Sequence, residues 1–382
     1  MSKRPISSFF TKLPPPQKRP RLTPPPSQKE ISSQASSHFQ KDISSETSSH
    51  LHKELSPEAS PQSPPSTHPS YPHPISSLPP TLYTLLTTLP PPPTRPITKP
   101  SLNLTFHHPF LPSKTSKQLY TFLRASLPFY RVTYSIKRDN LSTVVNTPRY
   151  TTVFGVDSNS YFHSNSSSGS GSEGLALLDT KSNTPVPKER YKACICPPRP
   201  IPQCLEILKS IVERETGERY NFILVNYYAD SSDSIAFHSD DESFLGPNPT
   251  IASLSLGTTR DFLMKHKSEK SLTLKLSLNN GEMVVMKGET QRMWMHSIPK
   301  RANTIKGGWT GGGRVNITFR KGVKTACTMN YYRYNVGDGG VFRWDDGRGE
   351  MVPFDQGSSS TTTAAAADDD DDYGDSAAVK EG

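Results

Sequence analysis

Leu272-Thr273-Leu274-Lys275-Leu276-Ser277-Leu278-Asn279-Asn280-Gly281-Glu282-Met283-Val284-Val285-Met286-Lys287 is the stretch on which the fold turns. Leu272, Leu274, Leu276 and Leu278 alternate with polar residues, the period of a strand with one buried face. Asn280-Gly281 suits a two-residue turn with positive φ, so the spacing predicts a hairpin into a second strand over Glu282–Lys287. Working outward, Asn221–Tyr228, Ile251–Leu256, Asp261–His266 and Arg314–Arg320 read as further strands, as do Val132–Ile136 and Tyr150–Val156. Two segments have helical spacing instead. Leu119, Phe122, Leu123 and Leu127 follow Ser116, a candidate cap. Ile201, Leu205, Leu208, Ile211 and Val212 line a helix that stops at Gly217. Many short strands and few helices predict an α+β chain: an antiparallel sandwich or open barrel with helices on one side.

Composition bounds how much of the chain folds. At 382 residues, two or three domains of roughly 150 residues would be the prior. The hydrophobic share is 32%, against about 45–50% in globular domains, so less of the chain is expected to pack. Residues 1–100 hold 23 of the 37 prolines and no Gly, Cys or Trp. Such a Pro/Ser/Thr segment is expected to stay disordered, because it offers too little apolar surface to offset its ordering entropy. The reading is an arm over 1–100, one folded domain over 101–345 with order beginning near Leu102, and a disordered acidic tail over 346–382. Asp157–Gly174, almost all Ser, Gly and Asn, is expected to be a flexible insertion. No run of about 18 apolar residues predicts a membrane helix, and Met1–Phe10 lacks a signal-peptide core. Four cysteines make no disulfide framework; Cys194, Cys196 and Cys204 lack a fourth ligand and a usual zinc spacing, so free thiols in a reducing compartment are expected. A net charge of +9, despite the acidic run Asp368–Asp372, suits a polyanionic partner.

Three short patterns carry chemistry. In His238-Ser239-Asp240 the first and third residues of an extended segment face the same way, so an imidazole and a carboxylate can chelate one metal. With a second imidazole from elsewhere, for which His296 is a candidate, the set suits a non-haem Fe(II) centre with open positions. In Arg314-Val315-Asn316-Ile317-Thr318-Phe319-Arg320, period two puts Arg314, Asn316, Thr318 and Arg320 on one face and Val315, Ile317 and Phe319 on the other. The two guanidiniums sit about 20 Å apart at roughly 3.3 Å per residue, and their long side chains can converge on a small dianion such as a dicarboxylate. Asn226 and Tyr228 form a third same-face pair, an amide and a phenol.

Taken in order, Asn-x-Tyr, His-x-Asp, His and Arg-x-Asn-x-Thr-Phe-Arg resemble the AlkB family of Fe(II)- and 2-oxoglutarate-dependent dioxygenases. The likeness runs over about Leu102–Tyr334 and is nearest to the family's nuclear DNA-repair branch, in a fungal-like version. Supporting stretches are Thr147-Pro148-Arg149-Tyr150, Arg199-Pro200-Ile201-Pro202, Ile251–Gly257 and Arg260–Lys267. The resemblance implies a double-stranded β-helix (jelly-roll) core with flanking N-terminal helices. It implies that His238, Asp240 and His296 hold Fe(II), and that Asn226, Tyr228, Arg314, Asn316, Thr318 and Arg320 bind 2-oxoglutarate. Arg314 would take the far carboxylate, with Arg320 nearer the iron end. The implied reaction consumes O2 and 2-oxoglutarate, with ascorbate as reductant. It hydroxylates an N-methyl group, and formaldehyde, succinate, carbon dioxide and an unmodified base leave.

The implied substrate is alkylated DNA carrying 1-methyladenine or 3-methylcytosine, flipped from the stack. Those bases are cationic, and Asp241 and Glu242 would favour a cation. Tyr191 is the candidate to stack on the flipped base. Leu141 or Val144 is the candidate wedge, since no Phe occurs in Asn140–Val145. Arg260, Lys265, Lys267, Lys300, Arg301 and Lys306 are candidate phosphate contacts, and Tyr331-Tyr332-Arg333-Tyr334 suits either nucleic acid or a core strand. In the arm, Ile6, Phe9 and Phe10 resemble a sliding-clamp (PCNA) docking peptide, with Lys3 where a Gln is usual. Lys18-Arg19-Pro20-Arg21 suits nuclear import, so a nuclear location is expected. Two other readings stand beside this one: the same chemistry on RNA or single-stranded nucleic acid, and a non-catalytic clamp- or nucleic-acid-binding adaptor on the same fold.

Overall fold

The computed structural model describes residues 64–138, 141–164, 175–191, 197–301, 312–324 and 340–354. Along the chain run α1 (Pro80–Thr87), β1 (Thr94–Lys99), β2 (Leu102–His107), α2 (Ser113–Ser126), β3 (Phe129–Tyr130), β4 (Thr133–Arg138), β5 (Leu141–Asn146), β6 (Tyr150–Gly155), β7 (Ser160–Ser164) and β8 (Leu175–Asp179). Then come α3 (Gln203–Thr216), β9 (Phe222–Tyr228), β10 (Ile235–His238), β11 (Ile251–Gly257), β12 (Arg260–His266), β13 (Thr273–Leu278) and β14 (Glu282–Lys287). The last elements are α4 (Thr290–Met293), β15 (Trp294–Ile298), β16 (Arg314–Arg320), β17 (Val341–Asp345) and β18 (Glu350–Pro353). None of the described helices is long and apolar enough to cross a membrane.

Two antiparallel sheets make a jelly-roll. The major one has ten strands in the order β1-β2-β14-β11-β16-β9-β6-β3-β17-β18, and the minor one has four, β10-β15-β12-β13. Strand parity decides what each face of the major sheet touches. Ile223, Val225 and Tyr227 of β9, Ala252, Leu254 and Leu256 of β11, and Val315, Ile317 and Phe319 of β16 pack with Leu119 and Leu123 of α2 and Leu205 and Leu208 of α3. The opposite face meets the minor sheet through Phe222, Leu224, Val284 and Met286 on one side and Phe262, Met264 and Trp294 on the other. All seven residues of β9, β11 and β16 are buried. Polar side chains on the inner face are therefore held between the sheets and not in solvent.

Four expectations change. The Asn280-Gly281 turn does not close a hairpin: β13 pairs with β12 in the minor sheet, and β14 pairs with β2 and β11 in the major one. The alternation in Leu272–Leu278 marks a strand with one outer face, whereas Met283–Met286 is apolar on both sides and needs a covered sheet. Gly281 has φ +82, and its carbonyl accepts from the amides of Phe110 and Leu111 at 2.8 and 2.9 Å. The turn thus anchors the crossover between sheets. Second, the folded body starts well before residue 101. Ile75, Leu78, Leu82 and Leu86 are buried in the helix-side core; the helix begun by Pro80 puts Leu82 and Leu86 on one face, and Ile75 and Leu78 pack in the segment just before it. At the other end β18 reaches beyond residue 345 and Met351 packs on the same core.

Third, α2 starts at Ser113 with Pro112 as its N-cap, and Ser116 lies inside the first turn with its hydroxyl on Pro112 O at 3.0 Å. Fourth, the part of the Asp157–Gly174 insertion that is described is structured. Asp157 is fully buried, and β7 pairs with β8. The helix over α3 ends at Gly217 in the left-handed conformation, as expected.

Candidate active site

A cavity of about 630 Å³ lies between the sheets. Its floor is the inner face of β16 and its neighbours. Arg314 pairs in register with Tyr228 of β9 and Gly257 of β11, and Asn316 pairs with Asn226 and Ser255. Arg314 is 1% exposed, donates from Nη2 to Ser255 Oγ at 2.9 Å, and holds its guanidinium 5.3 Å from the centre of the Tyr228 ring. Its Nε and Nη1 have no hydrogen-bond partner among the described residues. Burial draws its pKa down to about 10; Tyr228 opposes the shift and Arg260 adds to it. A buried guanidinium with two idle donors is costly unless an anion meets it, so this end of the cavity fits a carboxylate, the bidentate partner of arginine.

The other floor residues are tied more fully. Asn316 Nδ2 donates to Ser253 Oγ at 2.9 Å and to Leu254 O at 3.0 Å, and Thr318 Oγ1 donates to Leu224 O at 3.1 Å. Asn226 Oδ1 accepts from Thr151 Oγ1 at 2.9 Å and Arg149 Nε at 3.2 Å. Those two donors set the amide's orientation.

The second cluster comes from the minor sheet. His238 of β10 pairs with His296 of β15, next to an irregularity in the ladder after Ile235. The two rings lie 4.2 Å apart, centre to centre. Asp240 follows two residues on, buried, its amide donating to Gln291 Oε1 at 2.9 Å. His238 Nε2 is 3.9 Å from Asp240 Oδ1, and His296 Nε2 is 3.8 Å from Asp240 Oδ2. One donor atom from each of the three lies within 4.8 Å of the others, a spacing suited to one metal ion. His238 Nδ1 sits 2.9 Å from Ala236 O, which assigns the proton to Nδ1 and leaves Nε2 for a ligand.

The electrostatics agree with ligation. Burial lowers the His296 pKa to about 3, with help from His238 and Arg320 against Asp240, so the ring stays neutral. Burial alone would raise Asp240, but the Arg320 guanidinium, the largest opposing influence, holds the carboxyl below the usual range. Arg320 Nη2 reaches Asp240 Oδ1 at 3.1 Å, at the metal end of the cavity and opposite in role to Arg314.

Around the mouth, placements diverge from expectation. Glu242 lines the cavity, with Oε2 4.0 Å from Arg320 Nη1. Asp241 does not line it; its carboxylate accepts from Lys267 Nζ at 2.8 Å outside. Tyr191 is likewise outside the cavity: it is buried, and its hydroxyl donates to Asp157 Oδ2 at 2.9 Å, so it is not placed to stack on a base. Arg260 is 3% exposed and spends its guanidinium on the carbonyls of Asp230, Asp233 and Pro299, which removes it as a phosphate contact. Arg301 pairs with Asp261 at 3.4 Å, and Lys300 is exposed. Leu141 sits at the start of β5 in the β4–β5 hairpin, where Val144 is 64% exposed. Cys204 is a buried free thiol. Ile6, Phe9, Phe10, Lys18–Arg21, Cys194, Cys196, Lys306, Tyr331–Tyr334 and Asp368–Asp372 lie outside the described residues.

Sequence reasoning missed Arg149, Thr151, Ser253, Ser255 and Phe237, all of which line the cavity or bond to its floor. Ser253 and Ser255 were readable as the polar parity of β11. Arg149 stood in a noticed stretch without a role, because its partner Asn226 is 77 residues away.

The family model of the 2OG-Fe(II) oxygenase superfamily matches residues 103–320, more than half of the chain. The DNA oxidative demethylase ALKBH2 of Arabidopsis thaliana is 39% identical over 141 residues, 31% of this chain and 43% of that protein. The human protein of the same name is 37% identical over 131 residues, 32% of this chain and 48% of that one. The human alpha-ketoglutarate-dependent dioxygenase alkB homolog 3 is 39% identical over 124 residues, 30% and 41% of the two chains. The chain thus spans less than half the length of these curated relatives.

Proposed function

The chain belongs to the 2OG-Fe(II) oxygenase superfamily, and from that premise we propose that it oxidatively demethylates N-alkylated bases in DNA. One observation carries the oxygenase half of this reading: His238, Asp240 and His296 converge at one end of a cavity whose other end holds two donors of Arg314 that have no partner among the described residues. The substrate half is supported by likeness to proteins named DNA oxidative demethylase and by Glu242 in the cavity wall. Iron held by His238, Asp240 and His296 supplies the oxidising chemistry when bound. The residues do the rest. Arg314 clamps one carboxylate of 2-oxoglutarate, and Tyr228 and Asn226 line its flank. Arg320 keeps Asp240 ionised and aimed. Glu242 favours a cationic base such as 1-methyladenine or 3-methylcytosine over its neutral parent.

The reading extends to the arm. Ile6, Phe9 and Phe10 would dock a sliding clamp, and Lys18–Arg21 would direct nuclear import, bringing the enzyme to replicating DNA in the nucleus. Leu141 remains the proposed wedge.

The test is formaldehyde release with mass spectrometry of the base, using oligonucleotides bearing 1-methyladenine or 3-methylcytosine, Fe(II), ascorbate and 2-oxoglutarate. Stoichiometric formaldehyde and unmodified base from wild type, absent with His238→Ala, are expected. Consumption of 2-oxoglutarate without base repair would remove the substrate assignment. Turnover of methylated RNA far above DNA would move it to RNA.

A further inference from the structure

Among the described residues, four large apolar side chains are exposed: Leu85, Val144, Tyr161 and Phe237. Phe237 is the one of these that lines the cavity. It immediately precedes His238 on β10, and it is 38% exposed. Lys265 of β12, two strands away in the minor sheet, holds its Nζ 4.1 Å from the centre of the Phe237 ring. No described carboxylate pairs with Lys265. Lys265 thus covers one face of a half-exposed ring and leaves the other for a base; an aromatic ring and a cation are the two elements with which proteins hold single-stranded nucleic acid, one taking a base and the other a phosphate.

We propose that Phe237 and Lys265 form a platform for the nucleotide next to the one whose base enters the cavity. Phe237 stacks on that neighbour's base, and Lys265 pairs with its phosphate. The geometry supports the division of labour. His238 faces the cavity and Phe237, next to it, faces the other side of β10, which is the edge strand of the minor sheet. A nucleic-acid strand that leaves the cavity over this edge therefore brings its next nucleotide to the ring. Stacking of this kind accepts any base, so the platform raises affinity for a strand without reading its sequence. The proposal rests on the nucleic-acid reading above, and it adds the mouth residues that reading lacked once Tyr191 and Asp241 were found elsewhere.

The test is fluorescence anisotropy of a labelled thymidine oligonucleotide on the full chain, at several salt concentrations. Phe237→Leu and Phe237→Ala are expected to weaken binding about tenfold, and Phe237→Tyr to stay within about twofold of wild type. Lys265→Gln is expected to lower the slope of log affinity against log salt by about 0.7. The half-exposed position of the ring makes Phe237→Leu safe for folding, and its melting temperature checks this. Wild-type affinity in Phe237→Leu, an unchanged salt slope in Lys265→Gln, or no binding by wild type would each overturn the platform. The two hypotheses separate cleanly. Expected binding losses without any base repair would keep the platform and remove the demethylase. Base repair with equal kcat/KM in wild type and Phe237→Leu would do the reverse.

Discussion

Arg314 and Arg320 share one face of one strand, yet their surroundings divide their tasks. Arg320 is engaged by Asp240 at 3.1 Å, while Arg314 keeps two donors without a partner among the described residues. The first tunes a metal ligand; the second is built to receive an anion. Arg314→Lys replaces the planar fork by a point charge. It is expected to weaken 2-oxoglutarate binding by about tenfold or more, as loss of a buried charge-assisted pair implies, with Fe(II) affinity near wild type. Titration of 2-oxoglutarate into the anaerobic Fe(II)-loaded protein reads this, and unchanged affinity would remove Arg314 from the co-substrate site. The shared parity of the two arginines was legible in Arg314–Arg320. Parity alone did not say which of them meets Asp240, which arrives from the other sheet; only the family resemblance placed Arg320 nearer the iron end.

At the scale of elements, the site depends on how β16 is held between β9 and β11. Gly257 closes β11 opposite Arg314, with φ +89, and a Cβ there would come within 2.7 Å of both Gly313 O and the Tyr120 ring. Tyr120 also donates its hydroxyl to Gly312 O, so helix α2 grips the chain just before Arg314. Gly257→Ala is expected to cost about 2–3 kcal/mol from backbone strain and the clash, and to loosen 2-oxoglutarate binding by shifting Arg314. Urea unfolding and 2-oxoglutarate titration measure the two effects. Full stability with normal affinity would show that the register tolerates the shift. Strand existence along this region was read correctly, but strand partnership was not. The alternation over Leu272–Leu278 announced a strand, and the following Asn280-Gly281 looked like its return, although β14 leaves for the other sheet.

For the whole molecule, acid should weaken the fold partly through His107. It is 2% exposed on β2, and burial together with Lys287 lowers its pKa to about 4. The folded protein therefore keeps this ring neutral where the unfolded chain protonates it. Its share of stability is complete above about pH 6.5 and is lost as pH falls toward 4, amounting to about 2 kcal/mol by pH 5. Urea midpoints at pH 7 and pH 5 should fall further for wild type than for His107→Asn; equal falls would exclude this source. Local periodicity made part of this architecture readable from the residues alone. Side chains two apart on a strand share a face, so the polar row of β16, the His238/Asp240 pair and the amphipathic α3 were legible without coordinates. What those faces meet depends on packing between distant segments. The packing of Leu78, Leu82 and Leu86 under a proline-rich stretch depends on contacts far along the chain. So do the crossing after β13, the Arg320–Asp240 pair and the Phe237–Lys265 contact. Burial of distant segments against one another, which no local pattern encodes, set all four.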